Sequence, residues 1–299
     1  MLLDSPALWY RAFHGVPDSV RSPQGEPVNA IRGYIDIVAR VIREHRPSRL
    51  VATIDCDWRP AFRVAAVPSY KLHRTLEGGA EAEPPELAAQ VAVILEVFRA
   101  LGMSDVGVPG YEADDVIGTL ATRETGPVDI VTGDRDLLQL VRDDRPVRVL
   151  YAVEKMKVYG EREVSAKHGI PGRAYADYAV LRGDPSDGLP GVKGVGEKTA
   201  AALVSRFGSI EAILQALDSG IEDGFPAGAS AKLAAARAYL AVAPAVSRVV
   251  CDLPMPVLPD DLPRVPKDPE ALLGLSDRWG LDSPLDRMLQ ALETAHSDG

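Results

Sequence analysis

The chain has 299 residues, 46% of them hydrophobic, and a net charge of −10, enough for one large α/β domain or one domain with an appendage. No run of about 18 uncharged apolar residues is present to cross a bilayer, the opening MLLDSPALWYRAF lacks a charged-then-apolar leader because Asp4 comes too early, and two distant cysteines exclude a disulfide framework or a zinc ribbon. The expectation is a cytoplasmic protein without membrane contact, with Cys56 and Cys251 in the core.

Residues 1–3 are apolar and end in Asp4, and residues 7–13 follow as a helix. After a Pro/Gly/Ser-rich loop at 15–27, a longer helix reaches about His45, with Ile31, Ile35, Val38, Val41 and Ile42 on one side and Pro47 as its stop. A second apolar run, 50–54, ends in Asp55. Strands alternating with helices in this way argue for a parallel α/β sheet.

Residues 59–74 carry Arg59, Arg63, Lys71, His73 and Arg74, with Phe62 and Tyr70 interleaved, and give way to a Gly/Ala/Glu/Pro stretch at 77–85. A basic lid over phosphates and a solvated surface loop both fit that pattern. A helix over 85–101 leads into GYEADDVIGTLATRETGPVDIVTGDRDLLQL, residues 110–140. There Glu112, Asp114 and Asp115 occupy the first turn of a helix, where the macrodipole favours negative charge. Asp134 and Asp136 follow the apolar run 128–132 on the turn that Gly133 permits, and Leu137, Leu138 and Leu140 begin another helix.

Three strands thus deliver an aspartate to one edge, and ligand sites in open parallel sheets gather outside the carboxyl ends of the strands. Carboxylates packed together raise one another's pKa unless cations sit among them. Hard oxygen ligands suit Mg²⁺ or Mn²⁺ rather than zinc.

Residues 145–151 and 155–159 read as further strands, and the texture turns helical from Ile170, at 174–181, 198–207 and 210–217. Between the first two helices lies RGDPSDGLPGVKGVGEKTA, with Asp184 and Asp187 in a turn and a glycine hairpin at 191–196 running into a helix. Backbone N–H groups at such a hairpin can approach a phosphate closely, and Lys193 and Lys198 beside it favour a nucleic-acid backbone; an ordinary interhelical turn is the alternative. It is neither a Walker loop nor a dinucleotide fingerprint. The proline-rich stretch 249–269 and the small helices after it, with Leu272, Leu273, Trp279 and 285–292, are read as packing along the domain exterior, with a frayed tail from Ala295. With the nine clustered carboxylates set aside, the remaining surface is nearly neutral, so the positions of positive residues matter more than the total charge.

In this order the motifs closely resemble the 5′ nuclease family: flap endonucleases, phage 5′ exonucleases and the N-terminal nuclease domain of bacterial DNA polymerase I. LLDSPALWYRAFHG resembles the family's opening strand and helix, TIDCDWRPAFR its second acidic strand, and PSYKLHR the base of its helical arch. GYEADDVIGTLA and VTGDRDLLQL are similar to its most specific signatures, and LRGDPSDGLPGVKGVGEKTA to its DNA clamp, so the match spans about residues 1–217. The resemblance implies a PIN-like α/β nuclease core at 1–165 with an arch at about 63–90. A helical clamp subdomain at 166–299 would follow, helix-hairpin-helix-like at 184–207 and closed by the C-terminal packing segment. No polymerase region follows, so a stand-alone member is expected.

Residue by residue, the resemblance puts metal roles on Asp4, Asp55, Glu112, Asp114, Asp115, Asp134, Asp136, Asp184 and Asp187. Two or more ions, Mg²⁺ or Mn²⁺, would hold the scissile phosphodiester. Asp55, Glu112 and Asp114 would serve mainly one ion and Asp134, Asp136 and Asp187 the other, with Asp4, Asp115 and Asp184 acting directly or through water. Lys71 and Arg74 become catalytic cations, while Arg63, Tyr70, Gly191, Lys193, Gly194, Gly196 and Lys198 become DNA-binding residues, with a potassium ion at the hairpin. The implied substrate is DNA with 5′ ends, flaps or junctions, RNA-primed ends included, cut by a monomer. Departures are Ser5-Pro6 after the first aspartate, Gly191 where some relatives have serine, and a short arch crown at 78–85 poor in basic residues. Two rivals are a phosphatase built on Asp134-x-Asp136 or Asp55-x-Asp57, disfavoured by Leu138 and Arg59, and a single-strand ribonuclease, disfavoured by the clamp. A third is a structure-specific DNA-binding protein without turnover.

Overall fold

The computed structural model describes residues 1–76, 79 and 81–297. Among these residues the strands are β1 (Leu2–Asp4), β2 (Val51–Thr53), β3 (Ser104–Val106), β4 (Val128–Thr132), β5 (Val147–Tyr151) and β6 (Lys157–Tyr159). They form one sheet in the order β3-β2-β1-β4-β5-β6, parallel except for β6. The helices of the first half are α1 (Ser5–Gly15), α2 (Asn29–His45), α3 (Ala61–Ala66), α4 (Pro85–Leu101) and α5 (Ala113–Arg123). Then come α6 (Glu161–His168), α7 (Tyr175–Arg182), α8 (Glu197–Phe207), α9 (Ile210–Asp218), α10 (Ala229–Ala235), α11 (Arg237–Val242), α12 (Pro244–Ser247), α13 (Pro269–Trp279) and α14 (Asp282–His296).

Both faces of the sheet are buried, as a mostly parallel sheet requires. Leu2, Val51, Ile130 and Val149 join the core with α5, α7 and α8, whereas their successors Leu3, Ala52, Val131 and Leu150 join the core with α1, α2, α4 and α14. That is the period of two expected of strands. α2 ends where Arg46 takes a left-handed φ of 45° and its N–H closes on the Ile42 carbonyl at 2.8 Å. Gly102 ends α4 in the same way, with φ 84°.

The structure departs from the sequence reading in several places. α1 begins at Ser5 because Asp4 itself caps it, accepting the Ala7 N–H at 3.3 Å. β3, α3, α6 and α10 to α12 have no counterpart in the sequence reading: β3 has three residues, two of them polar, α3 buries only Arg63, and α6 buries only Val164, so none of these three shows an apolar period. The run 136–140 is a 3₁₀ turn rather than the start of a longer helix. The C-terminal helices are core rather than exterior, since Leu272, Leu285, Met288 and Leu292 are buried with α2 residues. No frayed tail begins at Ala295, because α14 continues to His296, whose ring nitrogen lies 3.1 Å from the Leu262 carbonyl. Cys56 is exposed and Cys251 half-buried, because Cys56 stands on the turn after β2 rather than within a strand. Within the expected arch crown, Gly78 and Ala80 lie outside the described residues. Among the described residues no single helix is long and apolar enough to cross a membrane.

Candidate active site at the carboxyl edge of the sheet

The strand order reverses between β1 and β4, so a crevice opens at their carboxyl ends. Asp4 closes β1, and the Thr132 hydroxyl at the end of β4 donates to its Oδ2. Thr132 Oγ1 in turn accepts the Asp134 N–H at 2.8 Å, and Asp134 Oδ1 accepts the Asp136 N–H at 2.8 Å, so one short turn aims both acids at the crevice. Asp55, two residues past β2, accepts the Ala113 N–H at 2.7 Å and so anchors the start of α5, which carries Glu112 at its N-cap and Asp114 and Asp115 in its first turn.

Asp184 and Asp187 arrive from the loop after α7, which is stitched to the base of the arch. The Lys71 N–H donates to the Asp187 carbonyl at 3.0 Å, and the Ser69 hydroxyl to the Gly188 carbonyl at 2.7 Å. At Gly188, with φ 71°, a Cβ would stand 2.1 Å from the Ser69 carbonyl oxygen, so only glycine permits this approach.

The acids share one electrostatic neighbourhood. Burial raises Asp4 to about 7, with the charges of Asp134 and Asp55 adding to it. It raises Asp55 to about 6, with Glu112 adding, and Asp187 to about 6, with Asp134 adding. Asp114 is pushed well above the carboxylate range by burial and by Asp4, Asp134 and Glu112; Asp136 is pushed up by burial and by Asp134, Asp187 and Asp184. All the donors are oxygen, and their negative charge is incompletely balanced, which fits hard divalent cations. Among the described residues no three acids, histidines or cysteines are arranged to grip one ion as the side chains lie.

The predicted acids differ in how far other groups already engage them. Asp115, 0% exposed, is held bidentately by Arg63 at 2.6 and 2.8 Å and also accepts the Val250 N–H at 2.8 Å. Asp184 accepts the Ser186 N–H at 3.0 Å and pairs with Arg182 at 3.2 Å, and its charge adds to the rise of Asp136. Glu112 Oε1 accepts from Arg63 at 3.0 Å and from the Tyr70 hydroxyl at 2.6 Å, while Oε2 meets the Lys71 ammonium.

Two of the predicted DNA contacts lie inside the protein: Arg63 and Tyr70 are each 3% exposed, held by Asp115 and Glu112. Lys71 does lie on the acids, and Arg74, 40% exposed, stands 3.8 Å from Asp187 and donates to the Ser186 carbonyl at 2.8 Å.

At the hairpin Gly191 and Gly194 have φ of 69° and 77°, and a Cβ on Gly191 would sit 2.5 Å from the Gly183 nitrogen. Gly196, at φ −101°, is the N-cap of α8, with open space where a Cβ would stand. Lys193 and Lys198 are exposed. The Gly194 carbonyl, a candidate potassium ligand, already accepts from the Lys232 ammonium at 2.9 Å.

Sequence reasoning missed Lys232, on a helix without an apolar stripe, and Tyr10. The latter lines an open cleft of about 700 Å³ together with Arg11, His14, Gly133 and Asp134. Its signal was available in the spacing of Tyr10 from Asp4, a turn and a half along α1.

The 5′-3′ exonuclease N-terminal resolvase-like domain matches residues 1–169, and the 5′-3′ exonuclease C-terminal SAM fold matches residues 170–270. A 5′-3′ exonuclease of Streptomyces coelicolor is 52% identical, the alignment covering 98% of this chain and 99% of that one. One from Mycobacterium tuberculosis is 49% identical over 98% of each. Among solved structures, phage T5 5′-exonuclease with bound zinc ions superposes with a TM-score of 0.65 over 99% of both chains at 17% identity, a likeness of fold. With its strands, acids and clamp in the places described, the chain belongs to the 5′-3′ exonuclease family.

Proposed function

We propose that this chain is a structure-specific 5′ nuclease, a 5′–3′ exonuclease and flap endonuclease. It hydrolyses DNA phosphodiesters to leave 5′ phosphates, as a cytoplasmic monomer removing primers and flaps in replication and repair. The observation that carries the reading is the convergence of acids from three strand ends, one helix start and the loop after α7 on one crevice, with Lys71 and Arg74 at its rim. Two divalent ions, Mg²⁺ or Mn²⁺, would supply an activated water and charge at the departing 3′ oxygen.

In this proposal Asp55, Glu112 and Asp114 face one ion and Asp134, Asp136 and Asp187 the other, with Asp4 between them at the end of β1. Asp115 and Asp184 hold the frame. Lys71 and Arg74 offer fixed positive charge to the reacting phosphate, the role that cationic clamps play in other phosphoryl transfers. Tyr10, which lines the same cleft as Asp134, offers a face on which an unpaired base can stack. Lys193 and Lys198 hold duplex backbone, and Lys232 rather than potassium serves the Gly194 carbonyl.

The experiment is a 5′-flap duplex incubated with the protein and Mg²⁺ or Mn²⁺. Cleavage near the branch with a 5′ phosphate on the product is expected. Tight binding with every strand left intact, whatever the ion, would instead favour the DNA-binding reading without turnover.

A further inference from the structure

Arg63 is the most heavily engaged cation near the crevice, yet its burial keeps it from any substrate. Its guanidinium reaches three partners on two separate pieces of chain: Asp115 at 2.6 and 2.8 Å and Glu112 Oε1 at 3.0 Å at the start of α5, and the Val246 carbonyl, to which Nε donates at 3.0 Å. It lies 4.9 Å from the Phe62 ring centroid and 6.0 Å from that of Tyr70. Asp115 extends the arrangement by accepting the N–H of Val250 at 2.8 Å and that of Glu112 at 3.3 Å. The start of α5, helix α3 and residues 246–250 are therefore bonded through one side chain.

Two consequences follow from that geometry. Glu112 Oε1 takes Arg63 and the Tyr70 hydroxyl, which turns Oε2 to the Lys71 ammonium beside the acids. Residues 246–250 also carry Arg248, which pairs with Asp177 of α7 at 2.7 Å and with Glu211 of α9 at 2.7 Å, on the helices flanking the glycine hairpin and α8. The same short segment is thus tied to α7 and α9 through Arg248 and to the Arg63–Asp115 pair through the Val246 carbonyl and the Val250 N–H.

We propose that Arg63 is a positioning residue: it fixes which oxygen of Glu112 faces the crevice and makes that aim depend on residues 246–250 staying docked between the hairpin helices and α5. The inference rests on the nuclease reading above. A lysine at this position would keep the charge, but its single ammonium cannot bridge Glu112, Asp115 and the Val246 carbonyl together.

The test compares Arg63→Lys with wild type on a 5′-flap duplex, alongside calorimetric Mn²⁺ titration of the full chain without DNA. The expected result is a kcat lower by about 10- to 100-fold, the scale seen when a partner of a metal ligand is lost. KM should stay within about 2-fold, Mn²⁺ binding should weaken, and part of the lost kcat should return at high Mn²⁺. The double variant Arg63→Lys with Glu112→Gln should be no slower than Glu112→Gln alone within about 2-fold, because residues acting through one another are not additive. Should Arg63→Lys fail to fold, Tyr70→Phe, which removes the other donor to Oε1 at almost constant shape, carries the same comparison with a smaller loss. A raised KM with unchanged kcat and Mn²⁺ affinity would overturn the proposal in favour of direct DNA contact, and losses that multiply in the double variant would also overturn it. Wild type that neither binds Mn²⁺ nor cuts the flap would overturn the nuclease reading itself.

Discussion

The two ends of the same sheet treat charge in opposite ways. At the amino ends of the strands, a cleft of about 540 Å³ is lined by Arg49, Arg123, Arg148, Glu124, Asp129 and Asp260, and its charges are matched. Arg49 reaches Glu124 and Asp260 at 2.6 Å each, and Arg148 holds Asp129 bidentately at 2.9 and 3.0 Å. At the carboxyl ends Asp4, Asp55, Asp114, Asp136 and Asp187 press on one another and all titrate late. Pairing is what a surface does for stability, whereas crowded like charge is costly and marks the end where chemistry is done.

The sharpest way to break this contrast is to neutralise one acid at each end. Asp134→Asn should lower flap cleavage by at least about 10²-fold while leaving duplex binding in place, since it removes charge from the crevice without touching the hairpin; wild-type turnover would take Asp134 out of the site. Asp129→Asn, on the matched edge, should leave cleavage unchanged within assay error. Lys71→Ala comes next, with a kcat loss of about 10²-fold and a much smaller loss of binding. Equal losses in both would make Lys71 a binding residue only.

The pH dependence follows from the raised acids. Their folded pKa values lie above those of the unfolded chain, so the folded state holds more protons between about pH 4 and 7 and stability falls as pH rises through that window. Metal-free protein should melt a few degrees higher at pH 5.5 than at pH 8, and Mg²⁺ should stabilise it more at pH 8; thermal melts at both values, with and without the ion, check the sign. At the matched edge Arg148→Ala, a half-exposed pair, should cost no more than about 1 kcal/mol in chemical denaturation. The smallest expected effect is at the hairpin: replacing K⁺ by tetramethylammonium at constant ionic strength should change duplex affinity by less than about 2-fold, because Lys232 already serves Gly194.

Much of this was legible in the sequence, because strands that end in aspartate write their own position. The apolar runs before Asp4, Asp55 and Asp134 marked three strands of the sheet and the edge where their acids gather, and GVKGVG before a helix marked the hairpin. Which polar residues would be buried was not legible. Arg63 and Tyr70 sit in a basic, aromatic stretch that looks solvent-facing until Asp115 and Glu112, some fifty and forty residues away, draw them inside. Nor does spacing alone separate Asp115 from Asp114: one position along α5 turns the side chain by about 100°, enough to send one acid to the crevice and its neighbour to an internal ion pair. Short polar elements such as β3 and α6 leave no period to read and are fixed by what they pack against.

The most direct measurement is anomalous diffraction from crystals soaked in Mn²⁺, counting the ions and the carboxylates they touch. Two peaks at the carboxyl ends of β1, β2 and β4, contacted by Asp55, Glu112 and Asp114 on one side and Asp134, Asp136 and Asp187 on the other, with none on Asp115, is the predicted result. Peaks confined to Asp129 or Asp260 at the opposite edge, or none among the crowded acids at saturating Mn²⁺, would contradict it.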